Sequence, residues 1–274
     1  MIDLYAEHQL KNLLMEDTGF GDITSKLLGD MKGSASIIVK EDCILSGLQY
    51  VKYLFELRGL EVNLLAENGN KALKGTQIVV ISGSYQRIFE VERTALNLLT
   101  RMSGIATETR NLVERVRDVN SHCRVAATRK TSLRFFDKEA VVTGGGDSHR
   151  FRLDDMILLK DNHIRILGIK EAVSQAKKVS FSKKVEVEVS TKEDAVTAVE
   201  CGADVVMLDN MTPGNVEEAV AHIRKVNPHT LIEVSGEVSK DNIRRYAQTG
   251  ADIISLGYIT HSIKVVNMSL EVDV

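Results

Sequence analysis

The sequence predicts an α/β protein in which a small α+β unit precedes a barrel of alternating strands and helices. At 274 residues, the chain is long enough for one large barrel or for two ordinary domains. Hydrophobic residues make up 43% of it but aromatic residues only 5%, so the interior consists mainly of aliphatic side chains, as beneath parallel strands. Beyond residue 120, short apolar runs alternate with helical stretches at an even spacing, which favours a barrel over an open sheet.

The first part of the chain mixes helical and strand patterns, as in a small α+β unit. The predicted elements are, in order, a helix over 3–15, a strand over 35–39, a helix over 48–57 and a strand over 77–82. A long helical pattern then runs from residue 89 to 116 and is interrupted by Gly104. We place the domain boundary at this glycine. The first domain then covers 1–104 and the second 105–262, with segment 263–274 packing on the first.

Six apolar strands are predicted in the second domain, and polar or glycine residues follow them. The strands cover 124–127, 156–159, 185–189, 205–208, 231–234 and 253–256, and helices cover 192–200, 215–225 and 241–249. Because the carboxyl ends of barrel strands meet at one face, where barrel active sites are assembled, the residues after the strands are expected to form one site. They are residues 128–131, residues 160–163, Glu188, Asp209, Asn210, Ser235, Gly236 and Gly257.

The charge distribution favours a small anionic substrate. Lys and Arg number 35 against 38 acidic residues, and a net charge of −3 excludes a protein that is basic throughout, as many nucleic-acid binders are. Residues 124–165 nevertheless hold nine Lys and Arg against six Asp and Glu. Arginine binds carboxylates and phosphates bidentately, and lysine adds a point charge. A solvated charged face gives the same counts, but the position at strand ends favours a site.

Other residues in this part of the chain suit the handling of phosphates and ribose. The glycine run at 144–146 frees the backbone before His149 and Arg150, although such a run is also typical of a simple turn. Glu188 and Asp209 suit ribose hydroxyls or a Mg²⁺ ion, and Ser235, Gly236 and Gly257 suit a phosphate bound by backbone amides. Glu186, two positions before Glu188, is expected on the opposite face of its strand and receives no role.

The composition excludes further classes of protein. Cys43, Cys123 and Cys201 lie far apart without a Cys-x-x-Cys motif, so neither a disulfide framework nor a zinc cluster is expected. The sequence begins without a signal-type segment and has no run of about 18 apolar residues. We therefore expect a cytoplasmic protein with no membrane and no nucleic-acid partner.

Motifs along the whole chain resemble one known family. They are residues 16–24 (EDTGFGDIT), 92–97 (ERTALN), 103–107 (SGIAT), 128–131 (TRKT), 144–150 (GGGDSHR), 160–163 (KDNH), 185–188 (VEVE), 208–210 (LDN), 235–236 (SG) and 260–262 (THS). In this order, and nearly end to end, the chain resembles the quinolinate phosphoribosyltransferases, also called nicotinate-nucleotide pyrophosphorylases (carboxylating).

The resemblance implies a fold and a reaction. The fold is an N-terminal α/β sandwich domain followed by an open, seven-stranded α/β barrel, which is TIM-like but incomplete, and the N-terminal domain of one subunit covers the barrel of its partner in a homodimer. The reaction is that of a glycosyltransferase of the pentosyltransferase class. Quinolinate and 5-phosphoribosyl-1-pyrophosphate (PRPP), with Mg²⁺, give nicotinate mononucleotide, pyrophosphate and CO2, which is the de novo route of NAD (pyridine nucleotide) biosynthesis.

The resemblance also implies roles for particular residues. The catalytic set is Lys130, Lys160, Glu188 and Asp209. The quinolinate set is Arg93, which reaches across the dimer, with Thr128, Arg129, Lys130, His149, Arg150 and Lys160. The PRPP set is Lys130, Lys160, Glu188, Asp209, Ser235, Gly236 and Gly257. The Mg²⁺ set is Glu188 and Asp209, directly or through water.

The chain departs from the usual family pattern in several places. The loop after Thr131 is two residues shorter than usual, Ala127 and Arg152 stand where Asp and Gly are common, and Glu237 places an acid beside the expected phosphate site. Two alternatives remain. One is a related phosphoribosyltransferase for a different aromatic acid, against which the KDNH motif argues. The other is a phosphosugar isomerase or aldolase with Lys160 as an amine nucleophile.

Overall fold

The computed structural model describes residues 2–273, which divide into two compact units. The first unit contains the residues up to Arg110, residues 132–145 and those from Ser262 onwards, and the second contains residues 111–131 and 146–261. The helices are α1 (Leu4–Thr18), α2 (Leu48–Leu57), α3 (Tyr85–Arg117), α4 (Arg134–Thr143), α5 (Asp161–Leu167), α6 (Ile169–Val179), α7 (Lys192–Glu200), α8 (Pro213–Val226), α9 (Ile243–Ala247) and α10 (Tyr258–His261). The strands are β1 (Lys32–Val39), β2 (Cys43–Ile44), β3 (Glu61–Leu64), β4 (Lys71–Ala72), β5 (Gln77–Ser84), β6 (Arg124–Ala127), β7 (Ile157–Leu159), β8 (Val185–Val189), β9 (Val205–Asp209), β10 (Leu231–Ser235), β11 (Ile253–Leu256) and β12 (Met268–Asp273). No helix within residues 2–273 has the length and apolar composition needed to span a membrane.

The first unit is built on a four-stranded antiparallel sheet with the strand order β12-β1-β5-β3. Its first helix, α1, begins where the side chain of Asp3 accepts hydrogen bonds from the backbone N–H groups of Tyr5 and Ala6. The C-terminal segment returns to this sheet as β12 and pairs with β1 along its whole length.

The long helix α3 continues through Gly104, so the predicted interruption at this residue is wrong. A Cβ atom at residue 104 would overlap the backbone carbonyl of Lys264. Glycine is required here because the C-terminal segment passes close to the helix, and not because the chain turns.

The second unit is built on six parallel strands with the order β6-β11-β10-β9-β8-β7. All six predicted strands are confirmed, with bounds that shift by at most one residue. The helices predicted after β8, β9 and β10 are confirmed as α7, α8 and α9. Because the first and last of these strands along the chain, β6 and β11, are neighbours, the sheet curls back on itself as a barrel does.

The seventh strand that the resemblance implies is reduced to a single β-bridge. Ala126 of β6 and Asp147 form an isolated parallel bridge. In it the N–H of Asp147 donates to the carbonyl of Val125 (2.7 Å), and the N–H of Ala127 donates to the carbonyl of Asp147 (3.1 Å). At the other edge of the sheet β7 lies beside β8. The barrel is therefore open between residue 147 and β7.

Candidate active site

The carboxyl ends of the parallel strands surround a cavity of about 610 Å³. Residues two apart on a strand share a face, and one such face of each strand lines this cavity. The pairs on that face include Met207 with Asp209 on β9 and Glu233 with Ser235 on β10. The cavity thus lies where barrel enzymes assemble their active sites.

The cavity brings together most of the residues predicted for the site. Those that line it are Thr128, Arg129, Lys130, His149, Arg150, Lys160, Glu188, Asp209, Ser235 and Gly236. Gly257 lies beside them, because a Cβ atom there would be 3.3 Å from Cδ of Lys130 and 3.0 Å from Nε2 of His261. Arg93 is exposed on α3 in the first unit, and its role in binding quinolinate stays a prediction.

The cavity contains guanidinium groups whose charge is not balanced by a direct ion pair. Neither Arg129 nor Arg150 has an acidic partner in the part of the chain that the structure describes, and Nε of Arg129 is buried without a hydrogen-bond partner. Burial, and then the positive charge of Arg129, lower the pKa of Arg150. Two guanidinium groups held close together in a partly buried wall favour a ligand with more than one negative charge.

Lys130 lies next to these arginines and is held by its backbone. Its carbonyl accepts a hydrogen bond from Oγ1 of Thr260 (3.2 Å), and its N–H donates to Oγ1 of Thr128 (3.4 Å). The backbone is fixed on both sides, so the exposed side chain can extend its ammonium group towards a ligand.

A second group of side chains in the cavity is acidic. Glu188, near the end of β8, forms an ion pair with Lys160. Asp209 ends β9, and its Oδ2 accepts a hydrogen bond from Nδ2 of Asn210 (2.7 Å). Burial, and then the neighbouring charge of Glu188, raise the pKa of Asp209. Two carboxylates that repel each other in one cavity form an oxygen donor set that suits a hard divalent cation such as Mg²⁺.

Asn210 and Gly236 make a tight contact beside these carboxylates. Both have a positive φ, 55° at Asn210 and 110° at Gly236. The N–H of Asn210 donates to the carbonyl of Ser235 (3.0 Å), and a Cβ atom on Gly236 would overlap the side chain of Asn210. Residue 236 must therefore be glycine, which leaves bare backbone at the cavity after β10, as a phosphate site requires.

His149 lies between two buried acids. Its Nε2 is 3.1 Å from Oε2 of Glu233 and 3.5 Å from Oε2 of Glu186. Burial lowers the pKa of His149, whereas the neighbouring carboxylates of Glu186 and Glu233 raise it. Its Nδ1 accepts a hydrogen bond from the backbone N–H of Arg150 (2.7 Å), so Nδ1 itself carries no proton. The proton of the ring therefore lies on Nε2, which faces the two acids. Burial raises the pKa of the Glu186 carboxyl.

The expectation for Glu186 is wrong. Residues two apart on a strand share a face. Glu186 faces His149 in the interior, and Glu188, on the same face of β8, lines the cavity. Asn210, expected at the site as a residue that follows β9, does line the cavity. Glu233 contacts His149 without having been predicted. The alternation along β10 is sufficient to place Glu233 on the face of Ser235, whereas the contact of Asn210 depends on a loop conformation that no sequence pattern reveals.

Comparison with protein families decides the assignment. The model described as the C-terminal domain of quinolinate phosphoribosyl transferase matches residues 105–271, and that of the N-terminal domain matches residues 22–103. The chain belongs to the quinolinate phosphoribosyltransferase family. The resemblance in the sequence is thereby confirmed.

Proteins of similar length align with this chain over almost its whole length. A Methanocaldococcus jannaschii protein described as a probable nicotinate-nucleotide pyrophosphorylase (carboxylating) is 46% identical over 281 residues, which cover 99% of each chain. A Rattus norvegicus protein of the same description, without "probable", is 32% identical over 94% of this chain and 88% of its own. The solved structure of the nicotinate-nucleotide pyrophosphorylase from Francisella tularensis has a TM-score of 0.91 at 35% identity, covering 98% of this chain and 96% of that one. The fold of this family of phosphoribosyltransferases is therefore the fold of this chain.

Proposed function

We propose that the protein transfers the phosphoribosyl group of PRPP to the ring nitrogen of quinolinate and removes one carboxylate as CO2, which gives nicotinate mononucleotide and pyrophosphate. The observation that carries this proposal is one cavity with two kinds of charge. The unpaired guanidinium groups of Arg129 and Arg150 suit a dicarboxylate, and the carboxylates of Glu188 and Asp209 suit a ribose that becomes positive during the reaction.

The quinolinate side of the proposal rests on the number of cations. Quinolinate carries two adjacent carboxylates, and each can accept two hydrogen bonds from one guanidinium fork. Arg129 and Arg150 supply two such forks, and Lys130 adds a third positive group at the same cavity. A monocarboxylate such as nicotinate leaves one fork unpaired in a partly buried wall, which lowers its affinity.

The transfer step requires charge on both sides of ribose C1. As the bond from C1 to pyrophosphate lengthens, positive charge develops on the ribose, and the carboxylates of Glu188 and Asp209 stabilise it. The ammonium groups of Lys130 and Lys160 balance the negative charge that collects on the departing pyrophosphate. The nitrogen of quinolinate then bonds to C1, and the cavity contributes by holding the two reactants in line.

We further propose that Mg²⁺ accompanies PRPP and that Glu188 and Asp209 hold it, directly or through water. The raised pKa of Asp209 beside Glu188 supports this, because a divalent cation relieves the repulsion between them. When bound, the ion adds positive charge that offsets the charge of the pyrophosphate group.

Loss of CO2 follows from the chemistry of the ribosylated ring. The ring nitrogen is now positively charged, so the electron pair released when the bond from C2 to its carboxylate breaks is stabilised at C2. CO2 leaves, and C2 takes a proton from water. The step depends on how the carboxylate is oriented and requires no covalent nucleophile from the protein.

The test compares two acceptors and two groups of variants. Purified protein with Mg²⁺ and PRPP should release pyrophosphate and CO2 with quinolinate and neither product with nicotinate; release with nicotinate alone refutes the substrate assignment. Arg129→Ala and Arg150→Ala should raise the KM for quinolinate by about 100-fold and the KM for PRPP by less than about threefold. Arg244→Ala, at a surface ion pair with Asp118, serves as the control that changes neither KM.

We also propose a homodimer in which Arg93 of one copy completes the quinolinate site of the other. Arg93→Ala and Arg129→Ala homodimers are each expected to be nearly inactive. Mixing and reassociating them should restore about one quarter of the wild-type activity, because half of the dimers are mixed and each has one intact site. Activity that does not rise on mixing contradicts a shared site. Trapping of a covalent adduct by borohydride with a sugar phosphate would instead support the aldolase alternative for Lys160.

A further inference from the structure

Both ring nitrogens of His149 are occupied by the protein itself. Nδ1 accepts the backbone N–H of Arg150 (2.7 Å), and Nε2 faces Glu233 (3.1 Å) and Glu186 (3.5 Å). A nitrogen that accepts a hydrogen bond has no proton, so the proton of the neutral ring is on Nε2 and is donated to Glu233, with Glu186 beside it. The ring thus has no nitrogen left to bind a carboxylate of quinolinate.

The backbone around His149 is held in an uncommon conformation. Its φ of 50° lies in the left-handed region, which few non-glycine residues adopt. The N–H of His149 donates to Oδ1 of Asp147 (2.7 Å), and Asp147 forms the bridge to Ala126 of β6. On the other side, the imidazole binds the next peptide N–H, that of Arg150. The direction in which the chain enters Arg150 is therefore set by contacts on both sides of His149.

We propose that His149, Glu186 and Glu233 are positioning residues for Arg150. Glu233 holds the imidazole ring by a hydrogen bond, and the carboxylate of Glu186 lies beside it at 3.5 Å. The ring in turn fixes the peptide from which Arg150 extends into the cavity. This inference rests on the proposed function, because it assigns these residues to the binding of quinolinate. It replaces the direct contact between His149 and quinolinate that the resemblance implies. Arg150 depends on such support because its guanidinium group has no ion-pair partner within residues 2–273.

The same three side chains lie close enough together to suggest a metal site instead. One ligand atom from each of His149, Glu186 and Glu233 lies within 4.8 Å of the others. A metal ion would need the lone pair of Nε2, where the proton resides as long as Nδ1 accepts the N–H of Arg150. The geometry therefore favours a hydrogen-bonded cluster over a metal site.

Three substitutions of His149 separate the two nitrogens. His149→Asn keeps an acceptor at the position of Nδ1 and tolerates a positive φ. His149→Gln reaches the position of Nε2 but has no acceptor at Nδ1. We expect His149→Ala and His149→Gln to raise the KM for quinolinate roughly tenfold and His149→Asn by at most about threefold, with kcat and the KM for PRPP changing less than about twofold. If His149→Gln retains the wild-type KM while His149→Asn is as impaired as His149→Ala, the ring contacts quinolinate directly and the proposal fails.

A double-mutant cycle tests the dependence on Arg150. If His149 acts through this arginine, adding His149→Ala to Arg150→Ala should raise the KM for quinolinate by less than about twofold further. A further tenfold rise, as for two independent contacts, overturns the proposal. In the same way, Glu233→Gln retains an acceptor for Nε2 and should raise the KM at least about fivefold less than Glu233→Leu. Equal effects of these two variants also overturn it.

The activity of the wild-type protein with quinolinate distinguishes a failure of this inference from a failure of the proposed function. If it does not convert quinolinate at all, the proposed function fails. If it converts quinolinate and the variants do not follow the pattern above, only the positioning role fails. Circular dichroism identifies any variant that does not fold. In that case the comparison of His149→Asn with His149→Gln, or of Glu233→Gln with Glu233→Leu, decides alone.

Discussion

Replacement of Gly236 by alanine should disturb the acidic part of the site through Asn210. A Cβ atom at residue 236 would overlap the side-chain amide of Asn210 and lie 2.8 Å from its backbone nitrogen. The φ of 110° is also one that alanine rarely adopts. Relief of the overlap requires Asn210 to move, and Nδ2 of Asn210 donates to Oδ2 of Asp209 at 2.7 Å. The substitution therefore reaches a predicted catalytic carboxylate without touching it.

The free energy of unfolding should fall for two reasons. Backbone strain at such a position is about 1–3 kcal/mol. The hydrogen bonds of Asn210 to the charged Asp209 and to the carbonyl of Ser235 contribute about 1.5–3 and about 1 kcal/mol when intact, and they are lost only in part. We expect a total loss of about 3 kcal/mol. The KM for PRPP should rise about tenfold, because a carboxylate of the ribose site loses its orientation.

Urea unfolding followed by circular dichroism measures the change in the free energy of unfolding. Initial rates at saturating quinolinate measure the change in the KM for PRPP. Gly214→Ala is the matched control. Gly214 lies in α8, and, apart from its chain neighbours and the backbone of its own helix, no atom of the described chain lies within 4 Å of a Cβ atom there. This variant should be as stable as the wild type or up to about 1 kcal/mol more stable, because alanine favours helices. A Gly236→Ala protein that unfolds at the wild-type urea concentration and keeps the wild-type KM refutes the reasoning.

Two further predictions concern buried groups outside the cavity. Arg101→Met should lower the free energy of unfolding by about 3 kcal/mol, because it removes two hydrogen bonds (2.8 and 2.7 Å) from the fully buried carboxylate of Asp137. Urea unfolding measures this loss. Adding Asp137→Leu should recover at least about half of it, and a double variant no more stable than Arg101→Met contradicts the argument. Burial raises the pKa of Cys43 to about 11 and that of Cys123 to about 12, so iodoacetamide at pH 8 should modify the partly exposed Cys201 first. Mass spectrometry of the native and the urea-unfolded protein distinguishes the sites; because the thiolate fraction grows with pH, Cys43 should become reactive in the native protein only as the pH approaches 11, and early modification of Cys123 contradicts the prediction.

The strands of the second unit were predictable because they are short and rich in aliphatic residues, and β9, with the sequence VVMLD, is an almost continuous buried apolar run. α5 was not, since it is only seven residues long and none of them is buried. β12 was not either. Its strand character comes from pairing with β1, more than two hundred residues earlier, and exposed residues such as Glu271 give no strand signal of their own.

The candidate site was predictable to the extent that it lies at strand ends. Asp209 and Ser235 follow directly from where β9 and β10 stop. Glu233 was not predicted because the prediction considered only the residues at strand ends. Glu233 lies two positions before Ser235 and faces the same interior. Asn210 was expected at the site, but its contact with Gly236 was not, because that contact and the positive φ of Asn210 exist only in the folded loop.

The single β-bridge between Ala126 and Asp147 leaves the segment that carries Arg150 weakly attached to the parallel sheet. Two backbone hydrogen bonds hold it, whereas β9 is paired along both edges. Segments with few such bonds open locally at a low free energy, and their amide protons exchange with water early. The amide of Asp147 should exchange well before that of Val206. A dicarboxylate bound to Arg150 favours the conformation in which this segment is paired with β6. Part of the binding free energy of the ligand therefore stabilises that pairing.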